Sequence, residues 1–357
     1  MNMTRMLAAV ATVAALGIGC QTLPRAGQIS TSGVLPSRPR LAEIGAPDGG
    51  LPVIADLAVF DGRLWLMQSR VPLAVNGASL WTWEPAGGFV RVLDDPFSQG
   101  FLRGDVIDGR LYVADGDPRA FMPGIVHVFD NASAPPVTTS VDEGIHNFQV
   151  VAFGGQIYVT GGLADGSWGL NRYDAAARRW TVAQRGRYLR LKYVAAFDDA
   201  LYGVNFPDNG AELLRIDRAL VAQDISLVPG QGIGLNVEVQ RNRLYATGIS
   251  PAGSYAFSIA AGGALPVRLQ GFSGPVFDFA EHDGVMYAVG CDLTKSYLYG
   301  SVDGLVFTRL LEWNDLRFGF APGSNGEANA DGRPSLASFQ GKLYLGSSTN
   351  GRLYRLD

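Results

Sequence analysis

The chain of 357 residues is poor in the residues that usually build covalent and metal sites. It has two cysteines, Cys20 and Cys291, and Cys20 ends an N-terminal apolar segment, so Cys291 has no partner for a disulfide in the mature domain. The three histidines, His127, His146 and His282, fall in different parts of the chain and lack the spacing of a zinc site. We therefore expect no disulfide, no metal and no cofactor.

Basic clusters and long hydrophobic runs are also missing. The chain has 29 Lys and Arg residues against 33 Asp and Glu, a formal net charge of −4. Nucleic-acid binding requires a concentrated Lys/Arg footprint, so nucleic acid is excluded as a partner. The main apolar run, residues 7–19, is too short to cross a bilayer as a helix, which takes about 20 residues.

What the chain does contain is one ten-residue phrase repeated seven times. The copies align without a gap and end at Trp65, Tyr112, Tyr158, Tyr202, Tyr245, Tyr287 and Tyr344. Their spacings, from 42 to 57 residues, lie close to the range of propeller-blade repeats. The copies are DLAVFDGRLW, RGDVIDGRLY, QVVAFGGQIY, YVAAFDDALY, NVEVQRNRLY, DFAEHDGVMY and SLASFQGKLY. We number the positions of this phrase 1 to 10.

The order of residues within a copy indicates a β-hairpin at the start of each blade. Residues 150–153 are continuously apolar, as in a strand covered on both faces. Gly154-Gly155 then forms a tight turn into a second strand, residues 157–159. The sequence therefore predicts an all-β protein, a seven-bladed β-propeller of four-stranded antiparallel blades that occupies residues 39–357 as a single domain.

The two ends of this domain are complementary: the last blade lacks a strand, and the N-terminal end has an extra one. The last copy is followed by residues 353–357, which supply a third strand but no fourth. Residues 40–44 resemble the fourth strands at 90–93 and 307–311. We expect this N-terminal strand to pair with the last blade and close the ring, which removes an edge that would otherwise template aggregation.

The N-terminus indicates export. Arg5 precedes the apolar run, which predicts a signal peptide over residues 1–20. Its end, Gly19-Cys20, resembles the lipobox of bacterial lipoproteins, which implies a lipid anchor on the thiol of Cys20; simple secretion is the alternative. Gln21 in that resemblance implies the outer membrane, facing the periplasm or the cell surface. Residues 21–38, rich in Ser, Thr, Gly and Pro, are predicted to be a flexible tether.

Two repeats carry motifs of known propeller families. The third, with Gly161-Gly162, Tyr173-Asp174 and Trp180, resembles a Kelch repeat. The sixth, with residues 301–304 leading to Phe307, resembles an Asp-box hairpin. The chain is thus similar to a Kelch-type or Asp-box-like bacterial propeller lipoprotein of the superfamily of the galactose-oxidase central domain. A copper-radical oxidase site is not expected, because it needs a Cys–Tyr cross-link and two histidine ligands that this sequence does not bring together.

Position 1 of the phrase gives the candidate site. Inner strands of a propeller begin near its axis, and position 1 is polar or half-polar in every copy. We expect these side chains, with Arg333 from the long loop before the last copy, to line the mouth of the central channel. The candidate binding residues are Asp56, Arg103, Gln149, Tyr193, Asn236, Asp278 and Arg333. The alternative interpretation is that this mouth is polar only because water fills it.

Two functions remain open. The first is an exported, lipid-anchored and monomeric binding or scaffold module that takes a protein or glycan partner on its loop-bearing face. The second is a carbohydrate-active enzyme, such as a lyase, a sialidase-like hydrolase or an epimerase, with its site at the channel mouth. No catalytic motif is present, which favours the first. Convergence of the candidate residues in a water-excluded pocket would favour the second, whereas an open, solvated mouth would favour a partner surface.

Overall fold

The computed structural model describes residues 33–70, 77–116, 123–187, 190–205, 212–225, 233–250, 253–292, 295–313 and 334–357. Every regular element within these ranges is a β-strand. No helix among them is long and apolar enough to cross a membrane. The predicted signal peptide, the lipidation residue Cys20, most of the predicted tether and Arg333 lie outside the described residues.

Each repeat contributes strands in the same order, numbered here along the chain. The first strands are β2 (Val53–Phe60), β6 (Phe101–Ile107), β10 (Gly144–Phe153), β14 (Leu191–Phe197), β18 (Ile233–Gln240), β22 (Val276–His282) and β26 (Ser335–Phe339). The second strands are β3 (Arg63–Ser69), β7 (Arg110–Asp115), β11 (Gln156–Leu163), β15 (Ala200–Asn205), β19 (Arg243–Ser250), β23 (Val285–Cys291) and β27 (Lys342–Gly346).

The outer strands complete each repeat. The third strands are β4 (Ala78–Glu84), β8 (Gly124–Phe129), β12 (Trp168–Asp174), β16 (Glu212–Ile216), β20 (Gly253–Ala260), β24 (Ser296–Ser301) and β28 (Leu353–Leu356). The fourth strands are β5 (Gly88–Asp95), β9 (Val137–Val141), β13 (Arg179–Gly186), β17 (Ala222–Asp224), β21 (Val267–Arg268), β25 (Thr308–Trp313) and, from the N-terminus, β1 (Leu41–Gly45).

The strands assemble into five separate four-stranded sheets and one eight-stranded sheet. The prediction of a separate sheet for every repeat is therefore corrected for the second and third repeats. Their fourth strands, β9 and β13, pair in parallel through Ser140 with Arg179 and Val141 with Trp180. The Trp180 indole also donates to Thr139 Oγ1 at 2.8 Å. A buried tryptophan from one repeat thus joins two outer edges.

The sheets follow one another around an axis. Each first strand contacts the first strand of the next repeat, and β26 contacts β2. Antiparallel pairing holds within every repeat. The molecule is therefore an all-β propeller, as the sequence predicted, and its loops fall on two ends. We call the end where the first strands begin the loop-bearing face, and the end with the turn of the phrase the turn-bearing face.

The ten-residue phrase repeats because several of its positions have a defined structural role. Positions 6 and 7 have positive φ in all seven copies, between 47° and 75°. This is the conformation of the two-residue turn that matches strand twist, and it explains the Asp-Gly pairs at 61–62 and 108–109. The aromatic residue at position 10 is buried in every copy.

The hydrophobic core is divided among the interfaces between repeats. Leu57 and Trp83 of the first repeat pack with Phe339 and Tyr344 of the last, and the rings of Trp83 and Tyr344 lie 5.2 Å apart. Other buried clusters join consecutive repeats in the same way. Because burial of a large apolar side chain contributes roughly 1.5–3 kcal/mol, these interfaces stabilise the ring as a whole.

The N-terminal strand completes the last sheet, as predicted. β1 pairs antiparallel with β28, from Leu41 opposite Leu356 to Gly45 opposite Leu353. The backbones of Arg40 and Asp357 exchange two hydrogen bonds of 2.9 Å beyond the strand ends. The first described strand is thus held by the last residues of the chain.

Deletion of residues 36–48 is expected to lower the melting temperature of the full chain by at least about 5 °C, because it removes these backbone bonds and exposes the edge of β28. Deletion of residues 21–32, in the predicted tether, is the matched control and should leave the melting temperature unchanged. Thermal unfolding followed by circular dichroism measures both. Equal melting temperatures for the two deletions would contradict a closing role for β1.

Candidate functional site

A β-bulge lies at or just before position 1 in six of the described first strands. In β2, for example, Ile54 pairs with Gln68 and Asp56 with Met67, so Ala55 is the extra residue. The register shifts at the same place in β10, β18 and β22, and in β6 and β14 the shifted stretch includes position 1 itself. A bulge bends its strand and re-aims the neighbouring side chain.

The bulges also place a buried layer above position 1. Ala55, Leu102 and Phe148 pack together with Val53, and each is at most 2 % exposed. On the opposite arc Leu235 and Phe277 pack with Cys291, which is 1 % exposed. Lys192 extends this layer, with its ammonium group 5.3 Å from the ring centre of Phe148.

The six described candidates are consequently buried rather than solvated. Asp56, Arg103, Gln149, Tyr193, Asn236 and Asp278 are each at most 8 % exposed. The apolar layer covers these residues, so in the described part of the chain they do not line an open mouth at this level. Their role in ligand binding stays a prediction, and Arg333 lies outside the described residues.

Several of these side chains bind the backbone of the next repeat. Asp56 Oδ2 accepts from the Gly104 amide at 2.9 Å, and Gln149 Oε1 accepts from the Val194 amide at 2.9 Å. Asp278 Oδ2 accepts from the Leu336 amide at 2.7 Å. Between the second and third repeats the acceptor comes from position 3: Asp105 Oδ2 accepts from the Val150 amide at 3.0 Å. Four junctions between consecutive repeats thus share one bond type.

Arg103 forms one cluster with four other candidate residues. Its Nη2 donates to Asn236 Oδ1 at 3.0 Å. Its Nη1 lies 3.5 Å from Asp56 Oδ1 and 3.8 Å from Asp278 Oδ1. Its guanidinium carbon lies 5.5 Å from the ring centre of Tyr193, within the range of a cation–π contact. One side chain therefore reaches residues from the first, fourth, fifth and sixth repeats.

Charges around Arg103 favour its ionised form. Burial alone lowers the pKa of Arg103, but Asp56 and Asp278, followed by Glu238 and Asp105, more than reverse this and raise it above its ordinary value. Breaking a buried ion pair leaves an uncompensated charge in a medium that solvates it poorly. We infer that Arg103 is needed to stabilise Asp56 and Asp278 in their buried positions.

Asp105 is the group in this cluster that titrates near neutrality. Burial raises the pKa of Asp105 to about 7, against the opposing effects of Arg103 and of the hydrogen bonds from Gln149 and the Val150 amide. The Gln149 bond, from Nε2 to Asp105 Oδ1, is 3.0 Å long. A carboxyl group that exchanges a proton near pH 7 is chemically suited to general acid–base work.

A pocket of about 300 Å³ opens beside the loop-bearing face, at the junction of the fifth and sixth repeats. It is formed by the start of β20 and by the connection from β21 to β22. Tyr255, Arg268, Gln270 and Phe272 supply its aromatic and polar side chains. Burial raises the pKa of Tyr255 to about 12, so its hydroxyl stays protonated. None of these residues belongs to the repeated phrase, so no sequence pattern predicted this pocket.

The comparisons with known proteins agree on the fold. Virginiamycin B lyase from Staphylococcus aureus, as a catalytically inactive variant with quinupristin, gives a TM-score of 0.62 at 10 % identity, with 89 % of this chain and 99 % of that chain covered. The selenomethionine-substituted form of that lyase gives 0.59 at 9 %, over 89 % and 99 %. A streptogramin B lyase gives 0.52 at 10 %, over 89 % and 97 %.

At such low sequence identity, these structural matches show a shared propeller fold and do not show a shared function. No family model and no curated protein sequence matches the chain.

Replacing Arg103 with methionine is expected to lower the free energy of unfolding by about 3–5 kcal/mol, because it leaves Asp56 and Asp278 buried without their cation. Arg218→Ala is the control, since Arg218 pairs with Asp199 at the surface, where such a pair contributes about 0–1 kcal/mol. Urea unfolding of both variants measures the difference. A loss below about 1 kcal/mol for Arg103→Met would contradict the structural role.

The raised pKa of Asp105 predicts a pH dependence with a definite sign. The folded state holds this proton more tightly than the unfolded state, whose aspartate pKa is near 3.9, so ionisation of Asp105 reduces stability between about pH 4 and pH 7. Asp105→Asn should therefore gain stability relative to the native chain as pH rises through this window, and the gain should level off above it.

Asp199→Asn, at an exposed aspartate that pairs with Arg218, serves as the control for the general effect of replacing an aspartate with asparagine. The measurement is urea unfolding at successive pH values. A constant difference for Asp105→Asn would show that this carboxyl group does not titrate as described.

Proposed function

We propose that this protein is an exported, lipid-anchored β-propeller that binds a protein or glycan partner on its loop-bearing face. We also propose that the eight-stranded sheet represents two blades, which gives a ring of seven. The cyclic contacts of the first strands support this count, as does the four-strand order within each half of that sheet. Only two residue pairs of the strand ladder, Ser140 with Arg179 and Val141 with Trp180, join the halves into one sheet.

One observation carries the assignment to a binding module. The polar residues at position 1 are buried and bind other repeats, so they hold the ring together and are poorly placed to meet a substrate. Ligand-binding groups must converge on a space that a ligand can enter. Among the described residues, the pocket beside β20 offers such a space on the loop-bearing face.

The chemistry of this pocket suits a sugar or a polar peptide segment. Tyr255 and Phe272 offer aromatic surface, and the exposed side chains of Arg268 and Gln270 offer planar hydrogen-bonding groups. Apolar faces combined with a few directed polar groups are typical of ligand sites in proteins. The Arg268 guanidinium adds a preference for ligands that carry a carboxylate.

The proposed localisation rests on the N-terminal sequence. An apolar segment that ends in Gly19-Cys20 supports export followed by lipidation of Cys20, and residues 21–38 supply the tether between anchor and propeller. We propose that the protein acts as a monomer on the outer membrane, facing the periplasm or the cell surface.

A carbohydrate-active enzyme is the second candidate. Its support is the convergence of Asp56, Arg103, Tyr193 and Asp278, together with the pKa of about 7 for Asp105. The solved lyases of similar fold establish that such a propeller can be an enzyme, which is an analogy of fold only. In this hypothesis Asp105 is the acid or base and Arg103 binds an anionic group of the substrate.

A glycan-array screen with the full chain tests the first proposal. Binding should weaken at least tenfold in Arg268→Ala and in Tyr255→Ala, because each removes a directed group of the pocket. Arg218→Ala, on an exposed arginine elsewhere, should bind as the native chain does. Binding that survives both pocket variants would contradict the placement of the site.

The same preparation separates the two functions. Cleavage or epimerisation of an array sugar that disappears in Asp105→Asn, with the fold retained, would establish the enzyme and overturn the binding module. Sugar binding without turnover would sustain the module.

A further inference from the structure

Position 4 of the phrase is exposed in all seven repeats, although the sequence there looks like core. The residues are Val59, Val106, Ala152, Ala196, Val239, Glu281 and Ser338. Val59 is 42 % exposed, Val106 47 % and Val239 37 %. Their neighbours at positions 2 and 3 are buried or half-buried in every repeat. A strand that is covered over most of its length thus becomes exposed at one defined point.

These seven residues encircle the axis of the propeller. They occupy the same position in strands that contact one another in cyclic order. The turns at positions 6 and 7 project beyond them and form a rim on the turn-bearing face. We call this set the lower ring. It is the opposite end of the channel from the buried layer around Leu102 and Phe148.

Five members of the lower ring are aliphatic, and the other two, Glu281 and Ser338, are polar and belong to adjacent repeats. Glu281 Oε1 lies 3.2 Å from Arg241 Nε, and the Glu281 side chain is 44 % exposed, so it also faces water. Ser338 Oγ lies 2.9 Å from His282 Nδ1. An apolar wall with one polar arc is the usual composition of a small-molecule site.

The charge inside the ring has one sign in excess. The first strands carry five acidic residues, Asp56, Asp105, Glu238, Asp278 and Glu281, against two Lys or Arg residues, Arg103 and Lys192, and the excess remains acidic when Asp105, whose pKa is raised to about 7, is left out. Asp105 and Glu238 stand at position 3, one residue inward from the lower ring, and both are partly exposed. Even with Arg241 of the neighbouring turn included, negative charge prevails. A cationic ligand would meet favourable potential from inside the channel.

We propose that the lower ring binds an aliphatic ammonium group: its hydrocarbon part lies against Val59, Val106 and Val239, and its charged head is held by Glu281 and the carboxylates above it. The free amine and the side chain of a lysine share this chemistry. The proposal concerns the turn-bearing face, so it is independent of the pocket at Tyr255 and Arg268. Each of the two sites can fail without the other.

Three probes of equal length test the charge preference. Isothermal titration of the full chain with 1-pentylamine, 1-pentanol and pentanoate compares a cation, a neutral molecule and an anion on the same hydrocarbon chain. Pentylamine should bind at least tenfold more tightly than pentanol, and pentanoate more weakly than either. Equal binding of the three, or the absence of pentylamine binding, would overturn the proposal.

Matched variants test the placement. Val106→Phe fills the ring and should weaken pentylamine binding at least tenfold, whereas Val137→Phe should leave it unchanged, since Val137 is 46 % exposed on an outer strand of the same repeat. Glu281→Gln should weaken binding tenfold, and Glu143→Gln should not, although Glu143 is likewise a half-exposed glutamate that pairs with an arginine. Native-like binding by Val106→Phe and Glu281→Gln would contradict the site.

A final comparison distinguishes the source of the ammonium group. Binding of Nα-acetyl-lysine methylamide with an affinity similar to that of pentylamine would support recognition of a lysine side chain on a protein. Binding of pentylamine alone would support a free amine. Ala196→Phe provides a second blocking variant at another exposed position of the ring and should weaken the binding of either probe.

Discussion

The structure depends on one type of hydrogen bond, in which a side-chain oxygen near the start of an inner strand accepts from a backbone amide of the inner strand in the next repeat. Asp56, Asp105, Gln149 and Asp278 make it at four junctions. Repeats that share no sheet can slide against one another if only apolar surfaces meet, because hydrophobic contact is non-directional. At these four junctions a directed bond near the axis fixes the register of one repeat against its neighbour.

Arg103 extends this principle across the ring. A buried guanidinium must be matched by acceptors, and its acceptors come from repeats far apart in sequence. The cost of burying these charges is offset only when all are present together, so the cluster favours the closed ring over partly assembled forms. Burial at this cluster has a second consequence, because it raises the pKa of Asp105 to about 7.

Much of the fold could be predicted from the sequence because the residues of the phrase reflect local conformational preferences. Asp61-Gly62 and Gly154-Gly155 indicate a turn that requires positive φ, and residues 40–44 match the strand missing from the last repeat. The burial of position 1 was harder to foresee. Its signal was the apolar residue just before it, such as Phe148 or Phe277, but a bulge that turns such a residue over the axis depends on three-dimensional packing. The exposure of Val106 leaves no trace in the sequence, since a valine suits either environment.

Hydrogen exchange at the amides of Gly104, Val150, Val194 and Leu336 tests the central claim most directly. If side chains of the preceding repeats hold these amides, all four should exchange only when the whole domain unfolds, with protection equal to the global free energy of unfolding. In Asp56→Ala the Gly104 amide should lose protection before the others do. Rapid exchange of the four amides in the native protein, at the rate of exposed loops, would contradict the account.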